Sequence, residues 1–160
     1  MAYNYSAKAT ENAAKAAGLA LPISRKQSTQ ICKAIRGLNV QKAKKLLEGA
    51  AAKKTAIPMT KYNRNTGHKA GMGPGSYPVN ACKQILAILK NAEANAQFKG
   101  LSTGNLVIKH ASAQKGPTAY HFGRQRRKAK RTHIELILEE NKEANAVRQA
   151  SSSKDSEAKK

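Results

Sequence analysis

The chain of 160 residues carries 30 Lys and Arg against nine Asp and Glu, a formal net charge of +21, and 40% of its residues are hydrophobic. This composition is sufficient for one domain with a modest core and appendages, and it excludes two separately folded domains. No apolar run approaches the length of a membrane span, and the N-terminus has no signal-peptide core. We therefore expect a cytosolic protein without a membrane partner.

The positive charge is concentrated in the first 134 residues. These contain 25 of the 30 cations but only three of the nine carboxylates, Glu11, Glu48 and Glu93, which is a net charge of +22. Because such a surplus repels itself, it favours a partner that is a polyanion, such as a nucleic acid. The other six carboxylates lie in the last 26 residues, which are near neutral and should lie away from that partner.

The N-terminal residues give a weak pattern. Residues 1–18 are rich in Ala and Lys, with Tyr3 and Tyr5 alternating, and they predict a short edge strand followed by a frayed helical turn. Residues 19–23 should be extended, because the residue before Pro22 avoids the α region.

Two amphipathic helices follow. The first begins after the capping residue Ser24 and ends at Gly37, and the second begins after Asn39 and ends near Gly49. Ile31, Ala34 and Ile35 form the apolar stripe of the first helix. Cations occupy its other faces: Arg25, Lys26, Lys33 and Arg36.

Between Lys53 and Tyr77 the helical periodicity disappears, and Pro and Gly interrupt the chain repeatedly. This pattern predicts a loop that RNA holds in an ordered form. The loop provides Lys61, Tyr62, Arg64, His68 and Lys69 as contacts. Its run of glycines at 71–75 is a weak match to a nucleotide-binding fingerprint, because no strand precedes it and the spacing differs.

The longest helix is predicted to begin at Pro78 and to continue to Gly100. Its apolar face is wide enough to be the central element of the core and comprises Val79, Cys82, Ile85, Leu86, Leu89 and Ala92. Lys83 lies at a polar position of this helix and is a candidate RNA contact.

Residues 105–140 have the pattern of a β-hairpin with two regular arms. On the first arm, one face is predicted to carry Leu106, Ile108, His110 and Ser112, and the other to carry Val107, Lys109, Ala111 and Ala113. On the return arm, Thr132, Ile134, Leu136 and Leu138 share one face, with His133, Glu135 and Ile137 opposite.

The segment between the arms, residues 116–131, has no carboxylate and little that could enter a core. A connector of this length is usually functional or disordered, so a solvated, flexible basic loop is the alternative to a binding role. The segment contains cations that can bind phosphates and aromatic rings that can stack on bases, so we predict that it contacts RNA. The candidates at this end of the hairpin are Lys115, Tyr120, His121, Phe122, Arg124, Arg126, Arg127, Lys128, Lys130 and Arg131.

No pattern indicates catalysis or a cofactor. The carboxylates before residue 135 do not pair, and the four histidines are isolated by spacing. Cys32 and Cys82 lack metal-ligand spacing, so we interpret them as reduced, half-buried thiols. We expect neither an enzyme nor a metal site, and no zinc-finger, RRM or KH signature indicates base-specific reading.

Six short motifs together resemble one family, the universal large-subunit ribosomal protein L twenty-two. They are Ile23–Lys26, Ala34–Gly37, Tyr77–Val79, Leu89–Ala96, Lys99–Leu101 and Thr132–Leu138, and they cover about residues 20–140 in order. The insertion between Pro58 and Tyr77 is similar to the archaeal and eukaryotic branch. The resemblance implies an α+β fold, with three helices packed on a small antiparallel sheet and a long protruding β-hairpin.

The expected organisation is an N-terminal extension (1–19), a ribosomal protein domain (20–140) that includes the hairpin (105–140), and a disordered C-terminal tail (141–160). The tail expectation rests on its low-complexity, Ser-rich composition.

The resemblance also implies partners and contacts: large-subunit rRNA, neighbouring large-subunit ribosomal proteins and the nascent polypeptide in the exit tunnel, without homo-oligomerisation. Arg25, Lys26 and Arg36 would contact rRNA from the body, Tyr62 and Arg64 from the loop, and Gly116–Arg131 would form the tunnel arm. This arm is several residues shorter than the archaeal pattern, which leaves open the residue that faces the nascent chain. The alternatives are a free-standing protein that compacts nucleic acid and an RNA-modifying enzyme, the latter supported by charge alone.

Overall fold

The main sheet is antiparallel and three helices pack against it. The computed structural model describes residues 3–8, 10 and 12–141. The helices are α1 (Arg25–Ile35), α2 (Val40–Ala51) and α3 (Val79–Phe98). The strands are β1 (Ala13–Leu21), β2 (Ile57–Pro58), β3 (His68–Lys69), β4 (Gly73–Ser76), β5 (Leu106–Lys115), β6 (Ala119–Tyr120), β7 (Lys128–Ala129) and β8 (Thr132–Glu140). This is the α+β class that the sequence predicted.

The helices begin where the sequence predicted. Ser24 and Asn39 are the N-caps of α1 and α2, and the Asn39 side chain accepts a hydrogen bond from the Gln41 amide at 2.9 Å. The second helix passes through Gly49 to Ala51, slightly beyond the predicted end. Among the described residues, no helix has the length and apolarity to cross a membrane.

β8 is the central strand of the main sheet, whose order is β1-β8-β5. Its residues Ile134, Leu136 and Leu138 are fully buried and belong to the single core cluster. The helices contribute the other large core side chains, including Ile31, Ile35, Leu47, Ile85 and Leu89. The predicted apolar face of the return arm is therefore confirmed.

The N-terminal prediction was wrong in one respect. Residues 13–21 form a nine-residue strand with no helical turn, because β1 pairs with β8 from Ala13↔Glu139 to Leu21↔Thr132. Two side chains, one in α3 and one directly after it, cover the open edge of this strand. Asn95 Nδ2 donates to the Lys15 carbonyl and Lys99 Nζ to the Ala13 carbonyl, each at 2.8 Å, which protects the edge from further pairing. The predicted boundary after residue 19 falls inside this strand.

β5 contains a bulge that the sequence pattern did not reveal. Ile108 pairs with Leu138 but His110 pairs with Ile137, so Lys109 is the extra residue. One inserted residue reverses the faces of everything that follows it. Ala111, rather than His110, is therefore buried in the core, and the predicted grouping of His110 and Ser112 with Leu106 and Ile108 was wrong.

The segment predicted as a loop contains a second sheet, with strand order β2-β4-β3. Ile57 and Met59 are buried and attach this sheet to the core, and the Met59 amide donates to the Pro74 carbonyl at 2.8 Å. The strands are too short to produce a periodic sequence pattern. They are held together by pairs of residues that are distant in sequence, such as Ile57↔Ser76. The segment is thus a small folded unit within the chain itself.

A buried carboxylate joins the N-terminal residues to the central strand. Glu135 of β8 is fully buried, and its oxygens accept hydrogen bonds from the hydroxyls of Tyr3 and Ser6, both at 2.6 Å, from the Ser6 amide at 3.1 Å and from Gln114 Nε2 at 2.7 Å. His110 Nε2 lies 3.6 Å from the same carboxylate. Residues 3–6 are therefore fastened to the sheet by one side chain.

This arrangement changes the titration of two groups. Burial acts to raise the pKa of Glu135, but the hydrogen bonds from Ser6 and Tyr3, with His110 nearby, leave it below the ordinary value of 4.5. Burial and the adjacent carboxylate raise the pKa of Tyr3 to about 12. The carboxylate is thus charged, and the phenol neutral, at neutral pH.

The substitution Glu135→Gln should lower the free energy of unfolding by about 2 kcal/mol, because an amide cannot accept all four hydrogen bonds. In the unsubstituted protein, the lowered pKa gives a stabilisation that is complete above pH 4.5 and is lost as the pH falls through the folded-state value. Urea unfolding between pH 7 and pH 3 should show this loss, and the Glu135→Gln protein should lack it. Glu139→Gln, on the same strand, is the matched control, and equal pH dependence in all three proteins would contradict the assignment.

Candidate nucleic-acid interface

The carboxylates of the described residues are largely used inside the protein, whereas the cations are not. Glu93 pairs with Lys44 and accepts from Gln41, Glu135 is buried, and Glu140 accepts from the Ser102 amide. Within the described part of the chain, Lys44 is the one Lys or Arg paired with a carboxylate. The surface is therefore strongly positive and available to an external anion.

One group of cations surrounds a cleft of about 660 Å³, which we call the basal cleft. Its walls are residues 23–27 at the start of α1, Asn63, residues 115, 116 and 118, and residues 128–131. Six of the lining side chains are cationic and none is acidic: Arg25, Lys26, Lys115, Lys128, Lys130 and Arg131. All six were predicted as RNA contacts, and the structure brings them together from separate parts of the sequence.

A ring contact joins the loop to this cleft. The Arg25 guanidinium lies 5.4 Å from the centre of the Tyr62 ring, and Lys61 Nζ lies 5.7 Å from the same ring. The next residue, Asn63, has a positive φ of 57° and reaches the cleft, while its carbonyl accepts from the Thr66 hydroxyl at 2.7 Å and amide at 3.1 Å. This end of the loop is therefore held against α1.

The arm segment, residues 116–131, presents its aromatic side chains to solvent. β6 and β7 pair through Ala119↔Ala129 and Tyr120↔Lys128, and the His121 amide donates to the Arg127 carbonyl at 2.9 Å. Phe122 is 98% exposed and Tyr120 is 59% exposed. Exposed rings among cations have the chemistry for stacking on bases. The protrusion of this segment from the body stays a prediction.

The other predicted contacts do not line the basal cleft. Arg36 is exposed and its Nη2 donates to the Ala111 carbonyl at 2.7 Å, so it also ties α1 to β5. Lys69 lies 5.5 Å from the ring of Tyr77. Arg64, His68 and Lys83 are exposed on the loop and α3, and Arg124, Arg126 and Arg127 are exposed on the arm segment.

Sequence reasoning did not single out two uncharged residues that line the cleft, Asn63 and Thr118. Thr118 lies within the segment predicted as the arm, residues 116–131, and Asn63 belongs to no motif or charge run. Their role depends on a tertiary contact between loop, helix and arm segment. The one local signal is the tolerance of Asn for a left-handed conformation, which is compatible with a tight turn at position 63.

Neither cysteine of the described residues is an activated thiol. Both cysteines are buried, and burial raises the pKa of the Cys32 thiol to about 12 and that of Cys82 to about 11, so both are neutral at pH 7. Among these residues, no group of three or more His, Cys, Asp or Glu could hold a metal ion.

Comparison with known proteins identifies the family. The family model described as "Ribosomal protein L22p/L17e" matches residues 16–139. The chain belongs to this family. The resemblance found in the sequence motifs is confirmed, and the match begins inside β1.

Several similar proteins bear the name "Large ribosomal subunit protein uL22". That of Archaeoglobus fulgidus is 42% identical over 148 residues, which covers 86% of this chain and 94% of the relative. That of Methanosphaera stadtmanae is 42% identical over 147 residues, with 86% and 96% covered. That of Methanocaldococcus jannaschii is 43% identical over 139 residues, with 81% and 89% covered.

The contact between Arg25 and Tyr62 predicts how the loop of this family member responds to substitution. Tyr62→Ala should lower stability by about 0.5–1 kcal/mol and accelerate hydrogen exchange at the Thr66 amide, because the ring no longer holds the loop. Tyr62→Phe keeps the ring and should behave as the unsubstituted protein. Unchanged exchange in Tyr62→Ala would show that the cation–ring contact does not order the loop.

Proposed function

We propose that this protein is a structural constituent of the large ribosomal subunit in the cytoplasm. In this role it binds large-subunit rRNA through its basic body, and its arm segment lines the peptide exit tunnel, beside neighbouring ribosomal proteins and the nascent chain. We assign it no catalytic activity. Family membership supports the ribosomal part of the proposal.

One observation carries the RNA-binding part: the separation of charges in the folded protein. Glu93 is paired, Glu135 is buried and Glu140 is hydrogen-bonded within the protein, while six cations converge on the basal cleft without an acidic neighbour in its lining. The mutual repulsion of these cations is offset when phosphates bind to the surface. Exposed Tyr120 and Phe122 extend the same chemistry to the arm segment with rings that can stack on bases.

Sedimentation separates this role from that of a free-standing nucleic-acid-compacting protein. Tagged protein expressed in cells should migrate with large subunits in a sucrose gradient at moderate salt. Recovery with bulk nucleic acid away from the subunits would instead support the compacting role, and would overturn the ribosomal proposal.

Binding of the isolated protein to structured RNA should depend steeply on salt, because phosphate neutralisation supplies most of the affinity. If about six to ten phosphates are contacted, the association constant should fall roughly 10³- to 10⁵-fold between about 50 and 200 mM salt. Titrations at four salt concentrations measure the slope. An affinity that is nearly independent of salt would contradict this view of the interface.

The arm segment should be separable from the folded body. Replacing residues 117–130 by Asn-Gly keeps Gly116 and Arg131, whose backbones are hydrogen-bonded at 2.9 Å, and closes the strands with a tight turn. Because the core residues lie outside the deleted segment, the thermal transition should change little and the protein should still enter subunits, with weaker RNA binding. Nascent chains should crosslink to residues 116–131 in the full-length protein, and these crosslinks should be absent from the shortened protein.

Two results would contradict this division. Unfolding of the shortened protein would show that the arm segment supports the body, and absence of nascent-chain crosslinks in the full-length protein would remove the tunnel role. We also propose that the C-terminal tail, residues 141–160, is dispensable for entry into subunits, which truncation after Glu140 tests. Beyond Asn141 this tail lies outside the described residues.

A further inference from the structure

The basal cleft is a formed cavity rather than a patch of flexible cations. The Thr132 hydroxyl donates to the Ile23 carbonyl at 2.8 Å in a buried contact, which joins the residues before α1 to β8. Gly116 packs so closely on Arg131 that an added Cβ would lie 3.0 Å from its backbone. Two of its walls are therefore held in place before any ligand binds.

The third wall, which Asn63 provides, is held as well. The cation–ring contact of Arg25 with Tyr62 and the hydrogen bonds from Thr66 to the Asn63 carbonyl fix the position of Asn63. Preformed walls lower the entropic cost of binding, which distinguishes a site from a general electrostatic surface.

The size and lining of the cavity define the class of ligand. A volume of about 660 Å³ lies within the range of roughly 300–1,000 Å³ of pockets that enclose small organic groups, and it is too small for a helical duplex. Its six cations suit phosphate oxygens, whereas Ile23 and Ala129 offer apolar contact and Asn63 and Thr118 offer hydrogen bonds. One unstacked nucleotide combines a phosphate, a flat apolar face and hydrogen-bonding edges.

We propose that the basal cleft encloses a single bulged or flipped-out nucleotide of RNA, so that the protein reads a local distortion of RNA structure in addition to its charge. This inference rests on the proposed RNA-binding function and adds a specific subsite to it. The phosphate lies among the cations of α1 and residues 128–131, and the nucleoside enters towards Asn63 and Thr118.

The test uses the full-length protein and two RNA stem–loops that differ only by one bulged nucleotide in the stem. At about 150 mM salt the bulged RNA should bind at least tenfold more tightly than the continuous stem, since both share the nonspecific charge attraction. Thr118→Trp fills the cleft without altering charge and should abolish this preference, so that the two stem–loops bind with about equal affinity. Ala119→Trp is the matched control, because the neighbouring exposed residue does not line the cleft.

A second pair of variants tests the phosphate position. Lys26→Ala removes a cation of the cleft and Lys83→Ala removes an exposed cation of α3, so both lose one charge. Lys26→Ala should reduce the preference for the bulged RNA. Lys83→Ala should instead lower the affinity for both RNAs by the same factor. A bulge carrying 4-thiouridine should crosslink to residues of the cleft.

Each result has a defined meaning. Equal affinity for the two RNAs, or a preference that survives Thr118→Trp, would overturn the nucleotide subsite while leaving general RNA binding intact. Failure to bind either RNA at moderate salt would instead overturn the proposed function itself.

Discussion

The pairing of β8 with a strand on each side is the constraint on which the rest of the structure depends. β8 is the central strand, and its core-facing residues Ile134, Leu136 and Leu138 are covered by the helices. Its other face carries Glu135, a carboxylate that would be costly to bury without partners and that recruits residues 3–6 as hydrogen-bond donors. One strand thus joins the N-terminal residues, the core and both sides of the main sheet, although it lies near the end of the domain in sequence.

The scarcity of acidic residues shapes the surface as strongly as the abundance of basic ones. With Glu93 paired to Lys44 and Glu135 buried, few carboxylates remain to neutralise the exposed cations. Folding therefore places these two acids in internal contacts, and the cations of the described residues other than Lys44 have no carboxylate partner. Such a surface is energetically unfavourable alone and favourable beside phosphates, so stability and binding are expected to be linked.

The basal cleft combines a defined cavity shape with positive charge. Its cations come from the start of α1, from the end of β5 and from residues 128–131, and Asn63 comes from the loop. Hydrogen bonds and one cation–ring contact hold these segments together without any contribution from a ligand. Preorganisation of this kind favours ligands that match the cavity over those that merely carry charge.

The sequence by itself determined the three helices, the apolar face of β8, the charge surplus and the family, because helical periodicity, strand alternation and short motifs are local signals. Only the tertiary structure decided the features that depend on long-range pairing. The strand at Ala13–Leu21 requires β8 as its partner, the bulge at Lys109 is visible only as a change of register, and β2, β3 and β4 are too short for a periodic pattern. The burial of Glu135 and the meeting of Asn63 with the cations of the cleft arise for the same reason, since residues far apart in sequence become neighbours only after the chain has packed.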